Sequence, residues 1–261
     1  MSRATGEEHS LVVFESHLSP WEACVNLNFA NERLSNDFVA ACTRDHLTLL
    51  TLIRTGEPFD FLLNRARELG QRLIDAHALY CLSNAHLLEV DSTIWLEVKG
   101  VTRADAVTGY MHRSLGRVQL DSDHADNPAM HDAAALVRAW GNDPALALAL
   151  SDFRAARREP GPYYAFHAFR VLEDIRDAFP GKKGAQRWDA MNAALGTTAD
   201  TWSELTDAST RARHLHPANI AWLSDPSRHG RLMSQTRDAL HAFIGHLPIL
   251  RAPESAVTAQ P

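Results

Sequence analysis

Apolar positions in the first half of the chain follow two different spacings. Apolar runs at residues 11–14 and 46–53, and a β-branched and aromatic run at residues 93–98, predict three β-strands. Over residues 58–80 apolar side chains recur every three or four positions, which is typical of one side of an amphipathic helix of about five to six turns. This half is therefore predicted to contain both strands and a helix.

The second half has helical spacing almost throughout. Six helices are predicted there, over residues 132–140, 144–158, 163–179, 186–195, 200–213 and 226–246. Clusters of glycine and proline separate the first four of these helices. Asp132, Asp143 and Asp225 are the predicted N-caps of the first, the second and the last, and proline follows the latter two at the first helical position.

Together the two patterns predict an α+β fold in two parts. A polar, acidic and turn-rich segment at residues 121–128 would separate a mixed α/β region over residues 1–125 from an up-and-down helical bundle over residues 130–250. Residues 251–261 are predicted to be a disordered tail. The sequence indicates no role for the first region.

Composition narrows the class of protein. The chain has 45% hydrophobic and 22% charged residues, as soluble globular proteins do, and 23 arginines against three lysines indicate a bacterial, GC-rich genome. No apolar run approaches the roughly 20 residues that span a bilayer, and the polar N-terminus has no secretory signal pattern. Three widely spaced cysteines fit reduced thiols. We therefore expect a cytoplasmic protein without a membrane partner, a cofactor or a bound metal.

Charge is distributed unevenly along the chain. The net charge of −6 argues against a general nucleic-acid binder. Residues 1–150 hold 12 Lys and Arg against 20 Asp and Glu, which gives −8, whereas residues 151–251 hold 14 against 11, which gives +3. Such a split is typical of two functional halves, although chance segregation of solvated charges explains it equally well.

The best candidate for a functional site in the sequence is an arginine- and histidine-rich segment near the C-terminus, where a predicted helix is followed by a proline. Arg211, Arg213, His214 and His216 precede Pro217, which cannot continue a helix because its ring fixes φ and it has no N–H to donate. Arginine offers a permanent cation with a planar fork that suits phosphate, and histidine can move a proton near neutral pH. The alternative is structural, because the carbonyl groups at a helix C-terminus attract cations whether or not they have a function.

Arginine and histidine side chains together supply groups that metal-independent cleavage of RNA requires. Such cleavage needs a base for the 2′-hydroxyl proton, an acid for the leaving oxygen and cations for the phosphorane. One arginine and one histidine supply half of that set. Two copies of the chain facing each other across a two-fold axis would supply all of it.

The order Arg211-x4-His216, in a late helix of a bundle, resembles the HEPN (higher eukaryotes and prokaryotes nucleotide-binding) superfamily, whose signature is R-x4–6-H. The segment 163–173, in which an aromatic start leads to a Leu-Glu pair, is also similar to an earlier helix of many members. The likeness covers residues 130–250 and extends more loosely to bacterial proteins linked to methylamine utilisation. It implies an all-helical, usually dimeric domain that is often a metal-independent endoribonuclease.

By this resemblance Arg211 and His216 would be the catalytic residues, with Arg213 and His214 as supporting or phosphate-binding groups. RNA or a nucleotide would be the ligand, and a second copy of the chain the partner. Ala212 stands where the family commonly has a polar residue, so a non-catalytic protein that binds RNA, a nucleotide or another protein remains the alternative.

Glu173 is a further supporting candidate at the edge of the apolar stripe of its helix. It could orient Arg211 or Arg213. The interpretation we favour is an ion pair within its own helix, with Arg170 or Arg176, each three residues away.

Aromatic and histidine side chains leave two further alternatives. Tyr163, Tyr164, Phe166 and Trp202 could stack on bases, but their helical spacing favours a place in the core, and His167 and Arg170 of the same helix are expected to be solvated. His214 and His216, with His229 or Asp225, could form a metal site. A regular helix would point the two imidazoles about 200° apart, so scattered histidines are the favoured interpretation.

Overall fold

The computed structural model describes residues 9–19, 29–35, 38–43, 46–54, 59–80, 89–101, 127–159 and 161–252. The chain divides into two units, Met1–Gly141 and Asn142–Pro261. The first contains a β-sheet with helices, and the described residues of the second form helices and turns. The predicted α+β fold class is confirmed.

Five strands of the described residues form one antiparallel sheet in the order β2-β3-β4-β1-β5. These are β1 (His9–Ser19), β2 (Phe29–Arg33), β3 (Phe38–Thr43), β4 (His46–Arg54) and β5 (Glu89–Val101). The strands predicted from apolar runs correspond to β1, β4 and β5. β2 and β3 were not predicted, because they are short and carry alanines and charged residues that strands usually lack.

One long helix, α1 (Phe59–Tyr80), packs against this sheet and agrees with the predicted span. Consecutive side chains of β1 from Leu11 to Phe14 are buried, as in a strand covered on both faces. Gly70 allows the helix to approach closely, since a Cβ atom there would lie 3.0 Å from the Leu47 side chain of β4. The apolar run of β1 therefore marks the centre of this unit's core.

The helix α2 (Pro128–Trp140) belongs to the first unit and packs against α1. Its predicted N-cap, Asp132, is wrong. Asn127 is the N-cap, because its side chain accepts a hydrogen bond from the N–H of Ala129 and Pro128 takes the first helical position. The domain limits predicted from sequence would place α2 with the C-terminal bundle. Residues 121–126 and 253–261, which include most of the predicted linker and tail, lie outside the described residues.

Six α-helices and one 3₁₀ turn make up the described part of the second unit. They are α3 (Pro144–Arg158), α4 (Tyr164–Asp177), α5 (Gly184–Leu195), the 3₁₀ turn (Ala199–Trp202), α6 (Ser203–Arg213), α7 (Pro217–Leu223) and α8 (Pro226–Leu250). Five of these helices match predicted ones to within a few residues. α7 was not predicted, and α8 continues through Pro248 beyond its predicted end at residue 246.

α4 is the central helix of this unit, since it packs against α3, α5, α6 and α8. Its buried stripe includes Ala165, Ala168, Val171, Leu172 and Ile175, at the three- and four-residue steps that the sequence showed. Small residues on this stripe let neighbouring helices approach closely. The apolar pattern of α4 therefore explains why it lies inside the bundle.

Contacts at the two ends of α4 fix the direction of its neighbours. Near its start, Phe166 meets Arg213 at the end of α6, and Tyr164 meets His229 near the start of α8. Just beyond its end, Phe179 meets Phe243 near the end of α8. The starts of α4 and α8 and the end of α6 therefore lie together, at the end of the unit that also holds α7. No helix that the structure describes is both long enough and apolar enough to cross a membrane.

Candidate functional site

The chain leaves the helical conformation between α6 and α7. His214, with φ −123° and ψ 64°, ends α6, and its N–H donates to the Arg211 carbonyl at 3.2 Å. His216 is extended, with φ −138° and ψ 165°, and its carbonyl accepts from the N–H of Ile220 in α7. α6 ends at Arg213, and Pro217 begins α7, because a proline is tolerated at the first helical position. The two histidines therefore do not lie on a regular helix.

Arg211 is held by groups of the protein itself. Its Nε atom donates to Asp207 Oδ2 at 2.8 Å, and its Nη1 atom donates to Asn219 Oδ1 at 3.2 Å. Its guanidinium carbon lies 4.6 Å from the centre of the Trp222 ring. Asn219, which is buried, also donates to the His214 carbonyl at 2.7 Å. Arg211 thus ties α7 to α6 through Asn219 and Trp222.

Trp222 also contacts a second arginine, Arg228 of α8. The Arg228 guanidinium carbon lies 3.8 Å from the ring centre, and its Nη1 atom donates to the Trp222 carbonyl at 2.6 Å. Glu204 of α6 lies 3.6 Å from Arg228 Nε. Two guanidinium groups therefore pack on one indole, and the short helix α7 is held by α6 on one side and α8 on the other. We call Arg211, Asn219, Trp222 and Arg228 the α7 clamp.

Arg213 has a different environment from Arg211. It is exposed, and its guanidinium carbon lies 5.5 Å from the centre of the Phe166 ring in α4. His214 and His216 are exposed as well. None of these three side chains makes a hydrogen bond or an ion pair with a residue that the structure describes. The structure therefore separates the predicted set into one arginine engaged within the fold and three groups that face solvent.

Glu173, the remaining candidate, binds neither Arg211 nor Arg213. Its Oε1 atom lies 3.4 Å from Arg176 Nη1, which confirms the favoured interpretation of an ion pair within α4. Arg170, the other predicted partner, instead donates to Asp152.

Two of the four aromatic candidates belong to the core, as predicted. Tyr164 is buried and donates to the Leu223 carbonyl at 3.2 Å, and burial raises the pKa of its hydroxyl to about 12. Trp202 is buried and donates to Asn192 Oδ1 at 2.9 Å. Tyr163 is 50% exposed, so its predicted place in the core is wrong, and Phe166 is half-buried.

Tyr163, Phe166 and the exposed groups of the α6–α7 turn lie at one end of the unit. Tyr163 and Phe166 lie three residues apart at the start of α4, hence on the same side of it. Arg213 stacks on Phe166, and His214 and His216 follow it along the chain. We call these five residues the Arg213 surface. It presents one permanent cation, two imidazoles and an exposed phenol ring to solvent.

The structure also contains a polar cluster that the sequence did not reveal. Asp152 of α3 accepts from His167 Nδ1 at 3.1 Å and from Arg170 Nε at 3.0 Å. Asp174, four residues after Arg170 on α4, has a buried Oδ2 atom without a hydrogen-bond partner among the described residues. Burial, followed by the charge of Asp152, raises the pKa of Asp174 to about 7. We call these four residues the carboxyl cluster.

Both His167 and Arg170 are expected to be solvated. Arg170 is exposed, as expected, although it also donates to Asp152, whereas His167 is only partly exposed. The available signal was the spacing of His167, Arg170 and Asp174, which puts three polar side chains on one side of α4. Nothing in the sequence pairs that side with Asp152, which belongs to another helix.

Metal coordination finds no support in the described residues, where no three His, Cys, Asp or Glu side chains converge suitably. The alternative metal site of His214 and His216 with His229 or Asp225 is not formed by these residues. Asp225 instead caps α8, accepting from the N–H of Ser227. Cys24 and Cys81 lie outside the described residues, and Cys42 is buried and forms no disulfide with a described residue.

Comparison with known proteins gives one family match. Residues 133–245 match the C-terminal domain of a family described as a domain of unknown function, DUF8168. Neither the curated proteins nor the solved structures contain a match to the chain. The matched segment begins within α2 and ends within α8, so it includes the α6–α7 turn, the Arg213 surface and the carboxyl cluster. The helical unit of this chain is similar to that C-terminal domain.

Proposed function

We propose that the C-terminal helical unit is a HEPN-like domain that binds single-stranded RNA at the Arg213 surface without cleaving it. The observation that carries the proposal is the exposed ring of Tyr163, three residues before Phe166, on whose ring Arg213 stacks. Exposed aromatic rings next to cations are the elements with which proteins bind single strands, since bases stack on the rings and phosphates attract the cations. The resemblance to the HEPN superfamily supports the same class of ligand.

Charge favours this end of the unit for a polyanion. The guanidinium of Arg213 is not neutralised by a carboxylate of any described residue, and His214 and His216 can add positive charge when protonated. Arg157 and Arg158 end α3, which runs antiparallel to α4 and so finishes near Tyr163. A phosphate backbone that crosses this end would meet several cations, while its bases could stack on Tyr163.

The engagement of Arg211 supports binding rather than cleavage. Its Nε and Nη1 atoms already donate to Asp207 and Asn219, and the group packs on Trp222, so a bidentate grip on a scissile phosphate through Nε would exchange these contacts for the ligand. That exchange would break the link between α6 and α7. A binding domain that uses Arg211 for structure and Arg213 for ligand needs no such rearrangement.

Cleavage remains the second candidate, because one observation favours it. His216 is exposed and unengaged beside the turn that holds Arg211, so its imidazole is available for proton transfer. In this alternative two copies of the chain form a dimer across the turn, and each copy contributes Arg211 and His216. The product would carry a 2′,3′-cyclic phosphate.

Binding can be tested by fluorescence anisotropy with a labelled, mixed-sequence single-stranded RNA of about 20 nucleotides, in EDTA. Loss of one stacked base costs about 1–3 kcal/mol, so Tyr163→Ala should weaken binding by about 5- to 100-fold. Arg213→Ala should also weaken it, and should lower the slope of log K against log salt by about 0.7 for one lost phosphate contact.

Lys182→Ala is the matched control for Arg213→Ala. It removes one exposed positive charge beyond the opposite end of α4, roughly 20 Å away for a helix of this length. Its affinity should stay near that of the unaltered protein. Equal affinities for all three variants, or no binding by the unaltered protein, would refute the proposal.

Cleavage is measured on the same RNA by gel electrophoresis, with the unaltered protein beside an Arg211→Ala/His216→Ala double variant. We expect intact RNA with both. A cyclic-phosphate product that the double variant fails to make would establish the nuclease instead, and sedimentation should then show a dimer.

A further inference from the structure

Two hydrogen bonds to one carboxylate join α3 to α4 beside the Arg213 surface. Asp152 of α3 accepts from His167 Nδ1 at 3.1 Å through Oδ1, and from Arg170 Nε at 3.0 Å through Oδ2. The Asp152 side chain is only 16% exposed, so water competes little for these charge-assisted bonds. Asp152 therefore fixes the position of the His167 imidazole on the surface of α4.

His167 in turn contacts the ring on which Arg213 stacks. Its imidazole meets the Phe166 ring edge-on, with ring centres 5.7 Å apart and ring planes at 72°. The guanidinium carbon of Arg213, at the end of α6, lies 5.5 Å from the centre of the same Phe166 ring. Direct contacts therefore run from Asp152 through His167 and Phe166 to Arg213, across three helices.

The face of the Phe166 ring is what holds the Arg213 guanidinium. Within the part of the chain that the structure describes, the Arg213 side chain has no hydrogen bond and no ion pair. An exposed arginine without such a contact samples many rotamers, and ordering it when a ligand binds lowers the affinity. A ring that is kept in place by His167 reduces this loss, because the guanidinium is already ordered when the ligand arrives.

We propose that Asp152 and His167 are positioning residues of the Arg213 surface, which order the Arg213 guanidinium on Phe166 for a phosphate of the single strand. The effect on RNA rests on the proposed function, whereas the ordering of Arg213 on Phe166 does not. Neither Asp152 nor His167 has to touch the RNA for this role. Their contribution to binding passes through the Phe166 ring.

Asp152→Ala and Asp152→Asn separate the hydrogen bond from the charge. Both variants remove the same negative charge, and that removal by itself would strengthen the binding of RNA. Asparagine can still bond to His167 Nδ1, through its oxygen or through its amide group, whereas alanine cannot. In the anisotropy assay with the same labelled single strand, Asp152→Ala should bind about 2- to 10-fold more weakly than Asp152→Asn. Equal affinities of the two variants would overturn the proposal.

The same two changes in a Phe166→Leu background show whether the effect passes through the ring. Leucine keeps an apolar side chain at this half-buried position but offers no ring face to Arg213. Asp152→Ala and Asp152→Asn should then bind RNA equally well. A difference that persists without the ring would mean that Asp152 acts by another route, and the proposal would be wrong. Circular dichroism at the assay temperature confirms that each variant is folded.

His167→Ala is a second variant, which decides the question if Asp152→Ala does not fold. His167 is partly exposed within α4, where alanine is a favourable helical residue. Removal of its imidazole should weaken RNA binding to a similar extent, and the loss should disappear in the Phe166→Leu background. A loss that stays the same in that background would indicate direct contact between His167 and RNA, and would contradict the positioning role.

A measurement without RNA separates this proposal from the proposed function. Stacking on a ring displaces the NMR resonances of the Arg213 Nε–H group, which can be assigned with Arg213→Ala. In Asp152→Ala or His167→Ala these resonances should move towards their positions in Phe166→Leu, whereas in Asp152→Asn they should stay near those of the unaltered protein. If no RNA binds but this difference is found, the proposed function fails and the positioning of Arg213 stands. Identical Arg213 resonances in the alanine and asparagine variants would refute the positioning role, even where RNA binds.

Discussion

Arg211 and Arg213 are the same residue type two positions apart, yet one is bound within the fold and the other faces solvent. On a helix the two side chains point about 200° apart, so they meet different neighbours. Arg211 meets Asp207, Asn219 and Trp222, whereas Arg213 meets the ring of Phe166. The contrast teaches that a sequence motif can locate a turn rich in arginine and histidine. The hydrogen-bond partners within the fold then decide which of these side chains is available to bind a ligand.

The largest expected effect tests whether the α7 clamp is structural. Trp222→Ala removes the ring on which Arg211 and Arg228 pack, and should lower the free energy of unfolding by about 2–4 kcal/mol. Ile220→Ala, at an exposed position of the same short helix, is the control and should cost less than about 0.5 kcal/mol. Urea denaturation measures both. A loss for Trp222→Ala as small as for the control would mean that the clamp contributes nothing to stability.

A smaller effect on stability is expected for Arg211→Ala. This change removes the group that donates to the buried Asn219 and the cation–π contact with Trp222. Its hydrogen bond to Asn219 and its packing on Trp222 should be worth about 1–2 kcal/mol, because the exposed ion pair with Asp207 adds little. A double-mutant cycle with Asn219→Ala should give a coupling energy of about 1 kcal/mol. RNA affinity should change less than twofold. If Arg211→Ala weakened RNA binding and left stability unchanged, Arg211 would be a ligand-binding residue and not a structural one.

The sequence predicted those elements whose pattern is long and local. α1, α3 and α4 carry apolar stripes of three turns or more, and β1, β4 and β5 carry runs rich in apolar, β-branched or aromatic residues, so these local patterns are enough to predict them. β2, β3 and α7 are short and were missed. At Pro217 the sequence pattern predicts only the end of α6, although a proline at that point can also begin a helix.

The sequence predicted the turn after α6 but not the surroundings of its two arginines. The sequence located the α6–α7 turn, and it could not distinguish Arg211 from Arg213, because that difference depends on Asn219 and Trp222 in the helix that was missed. The carboxyl cluster was missed for a related reason. Its members come from two helices, and no periodicity within one helix reveals a partner in another.

A similar comparison between a structural and an exposed side chain can be made with Tyr164 and Tyr163. Tyr164→Phe tests the contact of Tyr164 with the end of α7. It removes the hydroxyl that donates to the Leu223 carbonyl but keeps the ring against His229. The expected loss of unfolding free energy is about 1 kcal/mol, that of one buried hydrogen bond. Tyr163→Phe, at the neighbouring exposed ring, should leave stability unchanged and RNA affinity largely intact, because the stacking face remains. Equal stability losses in the two variants would contradict the assigned places of the two rings.

The smallest effect on stability is expected for Arg213→Ala, and this makes it the strictest test. The guanidinium makes no hydrogen bond with a described residue, and an exposed cation–π contact is worth about 0.5 kcal/mol, so the free energy of unfolding should change by no more than that. RNA affinity should nevertheless fall, as the proposed binding surface requires. Arg211→Ala should show the reverse pair of effects, with stability lost and affinity kept. If both variants lose stability alike, or both lose affinity alike, the two arginines are not divided between fold and ligand.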